Sequence, residues 1–291
     1  MKVHLVDGTY ELFRHFFAVP SHADKTGAEA GALRGVLGTV LSLLEKGATH
    51  IGVATDHVVE SFRNDLYDGY KSGEGIDPDL ARQFHPLEDA LEALGITVWR
   101  MKEFEADDGL ASASALAWAE PDVEQILLLT PDKDLAQCVQ GNRVVMVDRR
   151  KDIILNEDGV REKFGVPPIS IPDYLALMGD TADGFPGLKG WGAKSAATIL
   201  ARWIVLEDIP ADPRAWDVKI RGAERLAESL RDGREEAALF KDLATLRTSA
   251  NIGESPHQWK WQGPTPAFAS VCENLRADRL AQRAARLAEN L

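Results

Sequence analysis

Short apolar runs alternate with helically spaced apolar positions along the first half of the chain. VHLVD (3–7), HIGVAT (50–55), ITVWRM (96–101), QILLLT (125–130) and RVVMVD (143–148) have strand length and are rich in β-branched residues. Between them, 28–46, 78–94, 106–119 and 133–139 have helical patterning. Nearly unbroken apolar strands separated by helices predict an α/β fold built on a mostly parallel sheet covered by helices. KDIILN (151–156) is expected to fold back on 143–148 as a hairpin through Arg149 and Arg150. From about 157 the chain turns largely helical, punctuated by GVPP (165–168) and the Pro/Gly-rich stretch 184–192. The expected division is a core over 1–160 and a helical region over 161–291.

The 291 residues are 45% hydrophobic, ample for a buried core. Cys138 and Cys272 form no CxxC and no Cys/His cluster, which excludes a disulfide framework and a zinc site. MKVHLVDG reads as a strand and turn, not as a leader, and no apolar run has the length to span a bilayer. The expected compartment is the cytoplasm, with no membrane partner. The net charge of −13 is unevenly placed: residues 1–186 carry −15 and residues 187–291 carry +2. That acidity disfavours broad nonspecific phosphate binding unless much of it is gathered at one site and neutralised there.

Acidic residues recur in separate short motifs: Asp7 in LVDG, Asp56 in ATDH, Glu105, Asp107 and Asp108 in FEADD, Asp132 and Asp134 in TPDKD, Asp180 and Asp183 in GDTAD. Singly, each has a plain structural explanation: an Asp-Gly turn at Asp7, an acidic first turn of a helix at 105–108, an N-cap at Asp132. Several, however, directly follow strand-like runs, where open α/β sheets place their ligands. Carboxylates gathered there repel one another unless divalent cations neutralise them. Magnesium or manganese suits an all-oxygen set.

GLKGWGAKSAATIL (187–200) places Gly187, Gly190 and Gly192 before an alanine-rich helix, with Lys189, Lys194 and Ser195 beside them. Close-set glycines expose amides, and a helix N-terminus favours an anion, so the segment suits a phosphate; an ordinary glycine-rich turn between helices has the same composition. The Walker A spacing is absent, and the glycines do not follow a first strand as a dinucleotide fold requires.

In order, LVDGTYELFR (5–14), SFRNDLYDGYKSG (61–73), FEADD (104–108), TPDKD (130–134), YLALMGDTAD (174–183) and FPGLKGWGAKSAATIL (185–200) resemble the blocks of the 5′ nuclease family, meaning the 5′→3′ exonuclease domain of bacterial DNA polymerase I and the flap endonucleases. EEAALFKDLATLRTS (235–249) is similar to the segment that closes its nuclease domain. The resemblance implies a PIN-like nuclease core, a helical arch at about 62–86 and a helix-hairpin-helix motif at about 174–204 that grips duplex DNA. It implies two or more Mg2+ or Mn2+ ions, one held mainly by Asp7, Asp56, Glu105 and Asp107. The second falls mainly to Asp108, Asp132, Asp134 and Asp183, with Asp180 close by. A monovalent cation (K+) at the helix-hairpin-helix is implied as well. Lys71 would stabilise charge on the phosphate, Arg63 would position the strand, and Tyr70 would stack near the scissile nucleotide.

The implied activity is metal-dependent phosphodiester hydrolysis at 5′ flaps, nicks or ends, by a stand-alone monomer acting in primer removal and repair beside a separate DNA polymerase. Two departures stand out. Glu74 occupies the arch position where the family has arginine, and Ala182-Asp183-Gly184 replaces the usual Ser-Asp-Asn. A noncatalytic DNA-binding protein and a PIN-type ribonuclease are the competing expectations.

Overall fold

Strand β1 (Lys2–Asp7) runs directly into helix α1 (Gly8–Ala18), and α2 (Gly31–Glu45) leads to β2 (His50–Asp56). The first six residues of β2 are buried, which explains why HIGVAT lacks the polar alternation of a half-exposed strand. Next come α3 (Phe62–Leu66), α4 (Pro78–Ala81), α5 (Phe84–Ala93), β3 (Thr97–Met101), α6 (Ala106–Ala119) and β4 (Gln125–Leu129). They are followed by β5 (Val144–Asp148), β6 (Ile153–Leu155), α7 (Glu157–Phe164), α8 (Ile171–Met178) and α9 (Ala193–Trp203). The last helices are α10 (Ala223–Asp232), α11 (Arg234–Ala244), α12 (Ala267–Asn274) and α13 (Asp278–Ala288). These elements come from a computed structural model, which describes residues 1–289 and 291.

The chain divides into two units. The first is Met1–Val59, Gly73–Thr130 and Arg247–Leu291. Its four strands are all parallel in the order β3-β2-β1-β4, with Leu5 opposite both Gly52 and Leu128, and Asp56 opposite Met101. All carboxyl ends therefore lie on one side. Val3, Leu5, Ile51, Val53, Ile126 and Leu128 are fully buried, each contributing about 1.5–3 kcal/mol of transfer free energy. The C-terminal segment joins this unit through tryptophans. Trp259 packs edge-on against Trp99 with ring centres 5.0 Å apart, and the Trp261 indole donates to the Leu94 carbonyl at 2.8 Å.

The second unit is Glu60–Ser72 and Pro131–Leu246. Here β5 and β6 form an antiparallel hairpin pairing Met146 with Leu155 and Asp148 with Ile153. Helices α8 and α9 flank the turn 179–192, the helix-hairpin-helix arrangement.

Three features differ from the sequence reading. Helix α1 is additional, because Asp7-Gly8 resembles a turn while Asp7 in fact caps a helix. The expected helical arch over 62–86 contains only α3, α4 and the start of α5, with Gly69, Gly73 and Gly75 in the helix-free stretch 67–77. The contacts also divide the chain differently from a single cut at 160: 131–160 associates with the helical region, while 247–291 returns to the first unit.

Candidate metal centre and nucleic-acid interface

In the first unit, acidic residues stand at or just beyond the carboxyl ends of parallel strands. Asp7 ends β1 and is buried; its Oδ1 accepts the Tyr10 amide at 2.8 Å, capping α1, and its Oδ2 accepts the Thr130 hydroxyl at 3.0 Å. Asp56 ends β2. Its amide donates to the Thr9 hydroxyl at 2.9 Å and its Oδ1 accepts the Ala106 amide at 2.7 Å, fixing it against the start of α6. Glu105 immediately precedes α6 and is buried, with Asp107 half-buried in the first turn.

Asp108 is fully buried, and both its oxygens accept main-chain amides, from Glu105 at 3.0 Å and Arg247 at 2.7 Å. The structural explanation for an acid in this turn is thus realised at Asp108, which holds the helix start and the returning chain together.

In the second unit, Asp134, Asp180 and Asp183 are all buried, with carboxylate oxygens within 4.8 Å of one another. Asp132 is exposed and caps the turn Lys133–Cys138 by accepting the Asp134 amide at 3.0 Å. Two lysines stand among these acids. Lys71 Nζ lies 2.8 Å from Asp183 Oδ1, and Lys133 pairs with Asp180. Burial first, then the charges of Asp132, Asp183 and Asp180, push the Asp134 carboxyl well above the usual carboxylate range. Burial pulls the Lys133 ammonium down, but Asp134 and Asp180 outweigh it and raise it. Lys133 was not singled out in the sequence, although a lysine between two acids in PDKD was the available signal.

This donor set fits a hard divalent cation. It is all oxygen and largely buried, and Asp134 Oδ1 is a buried acceptor with no hydrogen-bond partner. Two lysines against four carboxylates leave the cluster under-neutralised.

Around the turn 179–192, Gly187 has φ +70° and is buried. A Cβ there would lie 2.2 Å from the Gly179 nitrogen and 2.5 Å from the Met178 carbonyl carbon. Its missing side chain therefore admits the neighbouring backbone, not a phosphate. At Gly192 a Cβ would meet open space, and at Gly190 only the Leu226 side chain at 3.9 Å. Lys189 and Lys194 are exposed. The Ser195 hydroxyl accepts the Gly192 amide at 3.0 Å, tying it to the start of α9.

Arg63 and Tyr70 sit elsewhere than a strand-facing role requires. Arg63 is 1% exposed, with Nε donating to the Leu243 carbonyl at 2.8 Å and Nη2 to the Thr245 carbonyl at 3.2 Å. The expectation that it positions a strand is corrected: its guanidinium satisfies carbonyls at the end of α11. Tyr70 is buried, with the Lys71 ammonium 5.5 Å from its ring centre. Lys71 itself is half-buried beside Asp183, and the Lys71 amide also donates to the Asp183 carbonyl at 3.0 Å. Glu74 is exposed.

Comparison with known proteins identifies relatives of the chain and of its fold. DNA polymerase I of Pseudomonas aeruginosa is 36% identical over 260 residues, 85% of this chain, which spans only 27% of that protein. The 5′-3′ exonuclease of Buchnera aphidicola subsp. Baizongia pistaciae is 31% identical over 263 residues, covering 89% of this chain and 86% of its own length. Among solved structures, T5 5′-exonuclease with bound divalent zinc superposes with a TM-score of 0.67 at 19% identity, covering 99% of both chains. The catalytic core of Rad2 in complex with DNA substrate gives 0.64 at 14% identity, over 98% of this chain and 92% of its own. Residues 2–165 match the family model of the 5′-3′ exonuclease N-terminal resolvase-like domain and residues 166–267 that of its C-terminal SAM fold, so the chain belongs to the 5′-3′ exonuclease family.

Proposed function

We propose that the chain is a structure-specific 5′ nuclease that hydrolyses DNA phosphodiesters at 5′ flaps, nicks or ends, with Mg2+ or Mn2+ held by its carboxylates. The observation that carries this reading is the buried group Asp134, Asp180 and Asp183, with an unpartnered oxygen on Asp134. Asp7, Asp56, Glu105 and Asp107 would hold one cation, and Asp132, Asp134, Asp180 and Asp183 another, with Asp108 acting chiefly through the α6 turn. Bound there, divalent cations supply charge neutralisation, a water of lowered pKa and a polarised phosphodiester.

The chain's own groups provide the rest. The Lys71 ammonium, beside Asp183, is placed to stabilise charge on a phosphoryl oxygen. Lys133 remains with Asp180 and limits repulsion in the cluster. Exposed Lys189 and Lys194, at the glycine-rich turn before α9, offer sequence-independent phosphate contacts. A K+ ion at this hairpin belongs to the same reading. In the cell, we place the activity in primer removal and DNA repair in the cytoplasm, in concert with a DNA polymerase.

The test uses a 5′-labelled flap duplex and single-stranded RNA, with wild-type protein and Asp132→Ala, in Mg2+, Mn2+ or EDTA. Metal-dependent cutting near the flap junction that Asp132→Ala abolishes is the expected result. Binding of the flap without cutting under every condition would overturn the enzymatic reading, and preferential RNA cutting would replace it with a ribonuclease.

A further inference from the structure

A carboxylate outside all the acidic motifs grips both neighbours of Asp56. Glu88, on α5, is 0% exposed. Its Oε1 accepts the Thr55 hydroxyl at 2.7 Å, and its Oε2 lies 2.8 Å from His57 Nδ1. Thr55 and His57 immediately precede and follow Asp56 at the carboxyl end of β2. One side chain thus reaches the residues on both sides of Asp56.

The neighbourhood restrains His57 further. Its amide donates to the Met101 carbonyl at 2.9 Å, and its ring stacks on His85 with centres 4.2 Å apart. The His85 Nε2 lies 3.0 Å from the His57 carbonyl and donates to it. Arg100 Nη1, on β3, is 3.6 Å from Glu88 Oε2.

A buried ionic network is a weak source of stability, since desolvation offsets its Coulombic gain, and an apolar residue of similar size would serve α5 at least as well. What this network does supply is direction. With its own amide held by Thr9 and its Oδ1 by Ala106, Asp56 is fixed at its two chain neighbours by one carboxylate as well. We propose that Glu88 is a positioning residue for Asp56, holding the end of β2 so that the Asp56 carboxylate meets its divalent cation in a fixed direction. The inference rests on the metal-dependent reading above. Partners of this kind alter metal affinity without touching the ion.

The experiment is a Mn2+ titration of purified protein, followed by the EPR signal of the free ion, on Glu88→Ala, Glu88→Gln, Thr55→Val and each of these combined with Asp56→Asn. Glu88→Ala is expected to weaken Mn2+ binding about tenfold, and Glu88→Gln by no more than about threefold, because an amide accepts from Thr55 and donates to an unprotonated His57 Nδ1. In the Asp56→Asn background, none of the three should cause further loss.

Wild-type Mn2+ affinity in Glu88→Ala would overturn the proposal, as would a loss that persists unchanged without Asp56. Glu88→Gln as weak as Glu88→Ala would assign the effect to charge instead of position and would equally overturn it. Should Glu88→Ala fail to fold without metal, Thr55→Val carries the test, with a several-fold loss expected only while Asp56 is present. Asp56→Asn alone separates the two levels. Unchanged Mn2+ binding there would sink Asp56 as a ligand and the proposal with it; a loss there with a silent Glu88→Ala would sink only the proposal.

Discussion

Asp134→Asn should make the metal-free protein more stable while reducing its response to magnesium. The side chains are close in shape, and the main-chain bonds at this position, the amide to Asp132 Oδ1 and the carbonyl to Gln137, do not depend on the charge. Asp134 holds its proton more tightly in the folded state than the ordinary value of 3.8 allows, through burial and then Asp132, Asp183 and Asp180. The sign follows. Below that ordinary value both states are protonated and the site costs nothing. As pH rises, the unfolded chain releases its proton first, and stability falls until the raised folded-state value has been passed.

Metal-free wild-type protein should therefore melt higher at a pH near the ordinary carboxylate value than at a higher pH, and Asp134→Asn should flatten that slope. At a Mg2+ concentration 100 times Kd, one loaded site adds about 2.7 kcal/mol. At about 2–4 °C per kcal/mol, this raises the wild-type melting point by roughly 5–11 °C. Melting curves by circular dichroism, in EDTA and in Mg2+ at both pH values, read every quantity. An equal Mg2+ shift in the variant, or wild-type metal-free stability that rises with pH, would refute the assignment of Asp134 to a metal-binding cluster.

Gly187→Ala should cost about 2–5 kcal/mol, combining a left-handed backbone with overpacking against Gly179, whereas Gly192→Ala should stay within about 0.5 kcal/mol; amide exchange across 177–192 distinguishes them. Lys71→Ala should change thermal stability by less than about 1 kcal/mol, since its pair with Asp183 is partly solvated, yet slow flap cleavage about a hundredfold or more in single-turnover kinetics. Arg63→Ala should lower metal-free stability by about 2–5 kcal/mol by leaving the Leu243 and Thr245 carbonyls without this donor, while protein that remains folded keeps its cleavage rate. Glu74→Arg should tighten flap binding and steepen the salt dependence by roughly one unit of slope if the exposed position lies along the strand.

Much of the sheet was legible because strands such as β2 and β5 are buried on both faces and so read as nearly unbroken apolar runs. Helix α6 matches its expected span, 106–119. Helix α1 was hidden by chemistry acting at two levels. Asp-Gly is a turn signal, yet the Asp7 side chain caps the next helix with one oxygen and takes the Thr130 hydroxyl with the other. The second hydrogen bond is long-range in sequence, and no local pattern encodes it. The same holds for the return of 247–291 to the first unit, which depends on Trp259 and Trp261 finding Trp99 and Leu94.

The candidate site shows the limit most sharply in its two cations. Arg63 and Lys71 lie eight positions apart in one motif, and nothing in their residue types distinguishes a group that meets phosphate from one that meets protein. The distinction is made at the far end of α11. A helix leaves its last carbonyls without internal partners, and the end of α11 is covered by protein, so side chains must supply donors. Arg63 donates to Leu243 and Thr245, and Gln137 donates to Ala244. The rigid fork of a guanidinium can span two such carbonyls, a task to which a single ammonium is poorly suited. Lys71 instead keeps its flexible ammonium 2.8 Å from Asp183 Oδ1, half-exposed, where a cation bound to Asp183 would displace it. Sequence motifs named Asp134, Asp180 and Asp183, which the fold brings within 4.8 Å of one another, but could not assign the bases, because a base's role depends on which unsatisfied acceptor the fold places nearest to it.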